Sequence, residues 1–158
     1  MNKEATLRQQ SSLLIIDHQA YWHTFAANTL QVAGYQVQTL EAYEDVAPEL
    51  ENGRSFNLVI LGCSDVAMPE RLLITQLLAQ HMHLIVLANK LTSTMIRALF
   101  LQGVDDAVEK THDSAHLLFY VDQAVERIAW REQHQFSENT NINKCSPQSM
   151  KMVIFKED

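Results

Sequence analysis

The stretch "NLVILGCSDVAMP", Asn57 to Pro69, decides how the chain reads. Its first half is almost continuously aliphatic, as in a strand covered on both faces within a parallel sheet. Its second half turns polar and reaches Pro69, which opens a helix through Gln80, because proline at the first helical position gives up a donor that has no partner there anyway. Between the halves stands Gly62, which brings no side chain to the end of the strand. The first carboxylate, Asp65, comes only in the loop beyond.

Working outward, "LLIID" (13–17) and "HLIVL" (83–87) repeat the aliphatic pattern, while "YQVQTL" (35–40) and "DDAVEK" (105–110) are weaker runs suited to short or edge strands. Helical patterns separate them. Tyr21 to Ala33 sets Trp22, Phe25, Ala26, Thr29 and Ala33 on one face and stops at Gly34. Glu44 to Asn52 is shorter, tolerates Pro48 only near its first turn, and is followed by Gly53. Thr92 to Gln102 closes at Gly103. Asp113 or Ser114 then caps a fifth helix, with Leu117, Val121, Ala124, Val125 and Ile128 as its apolar stripe. The expected fold is α/β, a doubly wound five-stranded parallel sheet flanked by helices, over residues 12–131. Residues 1–11 form an N-terminal extension and 132–158 a polar tail.

The chain has 158 residues, 47% of them hydrophobic, enough for one domain with a real core. Twelve Lys and Arg against nineteen Asp and Glu give a formal charge of −7. A surface that must neutralise phosphates needs the opposite balance, so direct nucleic-acid binding is not expected. Cys63 and Cys145 make neither a disulfide framework nor a ligand cluster, and "MNKEATLRQQSS" has no apolar signal region, which points to the cytoplasm. No apolar run approaches the roughly 18 residues of a membrane span.

Ligands of open α/β sheets sit at the carboxyl ends of the strands. Those ends are Asp17 and His18, Gly62 to Asp65, Ala88 and Asn89, and Lys110. From about Ser12 to Arg131 the chain resembles a response-regulator receiver domain, through "LLIIDH", "AGYQV", "NLVILG", the "MP" after the third strand and "GVDDAVEK", taken in their order and spacing. The resemblance implies a flavodoxin-like receiver fold and a pocket with defined parts. These are a carboxylate nucleophile for a phosphoryl group, acidic neighbours for Mg²⁺, a lysine for the phosphoryl oxygens, and a hydroxyl and an aromatic residue that switch the surface. Carried over position by position, the acidic pair is Asp17 and His18, the acceptor is Gly62, the hydroxyl is Ala88, the aromatic is Ala107 and the lysine is Lys110. Only Asp17 and Lys110 remain in kind. The expectation is a degenerate phosphorylation pocket, with no catalytic residue and no cofactor, in which Lys110 pairs with Asp17 in place of the lost metal; the alternative is that the two are simply exposed charges.

Asp65 is the objection, because "DVAMP" reproduces the local acceptor pattern of an aspartate followed four residues later by proline. The family's spacing fits Gly62 rather than Asp65. A displacement of three extended residues also moves the carboxylate by up to about 10 Å, unless a bulge or tight turn at Gly62 brings it back. The alternative is therefore a phosphorylatable receiver that uses Asp65 and Mg²⁺ in a phosphorelay; otherwise Asp65 is a solvated or helix-capping residue. His18 reads as a solvated or hydrogen-bonded histidine, since no cluster at metal-binding spacing supports it as a ligand. Cys63 reads as a packed thiol.

"IRALFLQ" and "AHLLFYVDQAVERIAW" hold more apolar positions than one buried stripe needs. Receivers commonly dimerise through their fourth helix, fifth strand and fifth helix. Met95, Leu99, Phe100, Leu117, Tyr120, Val121 and Ala124 are accordingly the candidate face for a homodimer or another protein partner; the alternative is that all this surface packs internally. After Glu132 the chain is rich in Asn, Gln and Ser, the composition of a linker. "MKMVIFKED" follows as a short apolar run suited to an edge strand or the start of another domain. "CSPQSMKMV" is similar to the region where receiver-like domains of enhancer-binding transcription activators pass into their ATPase domain, which implies an N-terminal regulatory portion. No GxxxxGK[ST] loop is present, and the four glycines (34, 53, 62 and 103) build no phosphate cradle that a small-molecule-binding or enzymatic flavodoxin-like domain would need.

Overall fold

In the computed structural model, which describes residues 3–142, the five aliphatic runs form one parallel sheet. The strands are β1 (Ser12–Ile16), β2 (Gln36–Leu40), β3 (Leu58–Cys63), β4 (Leu84–Ala88) and β5 (Asp106–Glu109). The helices are α1 (Lys3–Gln9), α2 (Ala20–Val32), α3 (Val46–Glu51), α4 (Met68–Ala79), α5 (Ser93–Gln102) and α6 (Ser114–Ile142), with a 3₁₀ turn at Tyr43–Asp45 before α3. Strand order is β2-β1-β3-β4-β5. The order reverses between β1 and β3, and the carboxyl ends of the strands at such a switch point are where open α/β sheets place their sites.

All six residues of β3 and all five of β4 are buried, which is why their sequences do not alternate. One face of the sheet, with Leu14, Val59, Leu61 and Val86, packs on Val46 of α3, Leu73 and Leu77 of α4 and Leu99 of α5. The alternate residues Leu13, Ile15, Leu58 and Ile60 point the other way. On α2 the buried stripe is Trp22, Ala26 and Leu30, while Phe25, Thr29 and Ala33 are half-buried at its edge. The expected face is thus turned slightly toward Leu30. Thr92 caps α5 by accepting a hydrogen bond from the Met95 amide at 3.1 Å, and Gly103 ends it with φ +117°.

Two helical segments lie where the sequence suggests none. α1 falls within the expected extension and is tied down by Arg8, whose Nε and Nη2 donate to Asp122 of α6 at 3.1 and 2.5 Å. The buried Tyr35 hydroxyl donates to the same carboxylate, and burial, reinforced by Asp122, raises its pKa above the ordinary tyrosine range. α6 runs on to Ile142, so the first residues of the polar tail are helical. The chain divides after Val125, and the second unit begins within this helix, where the Trp130 and His134 rings stack at 3.6 Å. The apolar run at 150–158 lies outside the described residues. No described helix is long and apolar enough to cross a membrane.

Candidate functional site

Asp17 and Lys110 meet at the carboxyl edge. Asp17 follows β1, and its Oδ1 accepts a hydrogen bond from the Gln19 amide at 2.8 Å. Lys110 ends the β5 run, its amide donating to Ala88 O at 2.8 Å, and its Nζ lies 2.7 Å from Asp17 Oδ2. Both side chains are 1% exposed. The contact lacks the alignment of a hydrogen bond, so Oδ2 is held by charge. Burying two charges is costly unless they stay paired, and removing either partner strands the other. Gln19 lies across the mouth: its Oε1 accepts from Lys110 Nζ at 3.0 Å, and its Nε2 donates to Ser64 Oγ at 3.4 Å.

Trp22 fills the rest. Its side chain is fully buried, Lys110 Nζ sits 4.8 Å from the centroid of its ring, and its Nε1 donates to Thr111 O at 3.1 Å. The indole leaves no room at residue 62. A Cβ placed on Gly62 would stand 2.3 Å from Asp17 Oδ2 and 2.9 and 3.0 Å from Trp22 Cζ3 and Cε3. Gly62 is therefore a close-packing glycine, in regular register opposite Leu87, while Cys63 continues the strand opposite Ala88.

No bulge interrupts β3 at Gly62, and Asp65 is exposed on the loop between β3 and α4. The His18 ring is turned onto Tyr43, with centroids 4.0 Å apart. Ala88 and Ala107 are buried methyl groups in the α3–α5 core. Mg²⁺ asks for several oxygens around one point. Here Asp17 Oδ2 faces a lysine, His18 offers nitrogen and Gly62 offers nothing, so these residues do not fit that ion. Among the described residues, no three His, Cys, Asp or Glu side chains are grouped to hold a metal.

A second polar knot adjoins the first and escaped the sequence reading. Tyr43 OH donates to Glu70 Oε2 at 2.7 Å, and Glu70 Oε1 accepts the Ala67 amide at 3.1 Å, closing the first turn of α4. Burial, then Glu70, raises the Tyr43 pKa, and the same two causes in the same order push the Cys63 thiol up to about 12. Cys63 is thus a protonated, packed thiol at neutral pH. An acid three residues after the start of the "AMPE" turn was the available signal for Glu70, but nothing local marked Tyr43 as its donor.

The expected partner face needs correction. Leu99, Leu117, Val121 and Ala124 are core residues, at most 5% exposed, because the 3.6-residue stripe of each helix is the side that packs on the sheet. Met95 and Tyr120 are half-buried, and of the seven only Phe100, 46% exposed, faces outward. The exposed apolar side chains nearby in sequence include Leu101 on α5 and Phe119 and Trp130 on α6, none of them among the expected residues.

No protein-family model matches the sequence, and no curated protein matches it. Solved structures are similar in fold. HP1043, an orphan response regulator of H. pylori, is 20% identical with a TM-score of 0.64, covering 75% of this chain and 98% of its own. A CheY-like receiver domain protein from Methanospirillum hungatei is 18% identical with a TM-score of 0.66, over 77% of this chain and 98% of that one. NtrX from Brucella abortus is 18% identical with a TM-score of 0.70, covering 79% of this chain but 29% of NtrX.

Proposed function

We propose that this chain, which has the fold of response-regulator receiver domains, is a regulatory protein-interaction domain of two-component type that works without taking up a phosphoryl group. The filled space over Gly62 carries the reading. Phosphoryl transfer to a receiver needs a carboxylate oxygen at the end of the third strand, free to attack phosphorus while a metal and a lysine gather the phosphoryl oxygens. Here that position has no side chain, the metal side of the pocket holds an ion pair, and the lysine is already engaged. The closed Asp17–Lys110–Trp22 arrangement supports a domain whose state is set by partners or self-association rather than by phosphate.

Phe100 and Leu101 of α5 with Phe119 of α6 favour a homodimer through the α5–β5–α6 side, in the cytoplasm and without direct contact to nucleic acid. The match covers 29% of NtrX, which fits a receiver-like unit within a longer protein, and the similarity of "CSPQSMKMV" to the passage of enhancer-binding activators into their ATPase domain is what favours a place at the regulatory end of a transcription regulator.

Incubation with acetyl phosphate and Mg²⁺, followed by intact-mass measurement, tests the chemistry. The expected result is no phosphoryl adduct on wild type; an adduct that disappears in Asp65→Asn contradicts the reading and makes Asp65 an acceptor. Light scattering on Leu101→Glu and wild type tests the interface, with loss of the dimer expected in the variant.

A further inference from the structure

The buried pair has a route out of the pocket that runs away from α5. Toward α5 the side chains at the strand ends are the methyl groups of Ala88 and Ala107, which donate and accept nothing, and the polar contacts there end on backbone, the Lys110 amide on Ala88 O and the Asn89 amide on Ser64 O. On the opposite side the contacts are continuous. Asp17 meets Lys110, Lys110 lies over the Trp22 ring, and Trp22 Nε1 donates to Thr111 O. Thr111 Oγ1 accepts the Asp113 amide at 3.0 Å, and Asp113 Oδ1 accepts the Ala115 amide at 2.9 Å in the first turn of α6. The same loop is held a second time, through the His112 ring, which lies 5.9 Å from Tyr21 and 6.3 Å from Phe25, both on α2.

We infer that Trp22 is a positioning residue that couples the Asp17–Lys110 pair to the N-terminal cap of α6, so that the pocket and this helix change state together. The inference rests on the phosphate-independent reading and names where its regulation runs. Its physical basis is the two-sided grip of one rigid ring. The indole face fixes Lys110, and the indole N–H fixes the backbone one residue further on. α6 is also the helix on which the chain continues past Val125. A partner that moves the loop at 111–113 would thereby loosen the ion pair, and loosening the ion pair would move the loop.

The test is a double-mutant cycle read by amide NMR on the full chain. Asp17→Asn perturbs the pocket, and Trp22→Phe keeps a ring under Lys110 but removes the donor to Thr111. Should Asp17→Asn fail to fold, Gln19→Leu replaces it, removing the acceptor of Lys110 at the exposed mouth. The expected result is that the pocket variant shifts the amides of Thr111 to Ala115 in wild type, and that Trp22→Phe cuts these shifts at least twofold while shifts at His18 and Gln19 persist. Equal shifts at 111–115 in both backgrounds, or shifts running instead to 89–95, overturn the coupling. A purely packing role for Trp22 lowers stability but leaves the two sets of shifts equal. Adding Mg²⁺ and beryllofluoride to the same samples separates the two claims. A saturable response removes the phosphate-independent reading, whereas silence with no 111–115 coupling removes only the role of Trp22.

Discussion

Replacing Gly62 with alanine adds one methyl group where the structure has no space for it. The new Cβ would stand 2.3 Å from Asp17 Oδ2 and about an ångström inside ordinary contact with Trp22, whose ring atoms lie at 2.9 and 3.0 Å. Neither neighbour can yield easily. Asp17 is fixed by the Gln19 amide at 2.8 Å and by Lys110 at 2.7 Å, while Trp22 is fully buried and bonded to Thr111 O. Overpacking a tight interior costs about 1–3 kcal/mol. Losing one partner of a buried pair costs about 3–5 kcal/mol, which bounds the further loss if Asp17 is pushed off Lys110. An expected destabilisation of roughly 2–4 kcal/mol follows, a large share of the ~5–15 kcal/mol that holds a typical domain. Urea unfolding followed by circular dichroism measures it as a lower midpoint at unchanged slope. The thermal midpoint should fall by roughly 4–16 °C, at about 2–4 °C per kcal/mol for a chain of this size. Gly62→Asp, which writes in the missing acceptor, meets the same crowding and adds a second carboxylate beside Asp17. A change below about 0.5 kcal/mol for Gly62→Ala, the level of an uncrowded surface substitution, would refute the closed pocket.

Other consequences can be checked together. Lys110→Met should cost about 3–5 kcal/mol in urea unfolding by stranding the Asp17 charge, and adding Asp17→Asn should recover part of the loss. The Cys63 thiol, raised from 9.0 to about 12 by burial and Glu70, stays protonated in the native chain while the unfolded chain ionises, so stability should fall as pH rises above about 9. Tyr35 and Tyr43, raised for the same first reason, add to that loss above pH 10, and a pH series of unfolding midpoints shows it. Arg8→Ala should free α1, with faster amide exchange confined to residues 3–9 and a stability loss of about 1 kcal/mol, since the pair it breaks is 21% exposed on each side.

The strands were legible because Leu13–Ile16, Leu58–Leu61 and Leu84–Leu87 are aliphatic without interruption, and only burial on both faces accounts for that. Pro69, Thr92 and Gly103 announced helix ends through local chemistry that needs no tertiary context. The Asp17–Lys110 pair was legible from its place at two strand ends. What closes the pocket was not, because Trp22 reads only as a buried helix residue until the fold brings the end of β5 over its ring. The helical run from Glu132 to Ile142 was masked by a composition of Asn, Gln and Ser that equally suits a linker. α1 was overlooked because its anchor, Arg8 to Asp122, joins the two ends of the first unit. Four of the residues expected on the partner face went astray for the opposite reason. Leu117, Val121 and Ala124 form the strongest apolar stripe on α6, and the strongest stripe is the one the sheet takes.

Amide NMR of the domain with Mg²⁺ and beryllofluoride, a stand-in for the aspartyl phosphate, tests the central claim most directly when wild type and Asp65→Asn are recorded side by side. A pocket closed by Asp17, Lys110 and Trp22 predicts no saturable shifts at Asp17, Asp65 or Lys110 in either protein. Saturable shifts in wild type that vanish in Asp65→Asn would contradict it.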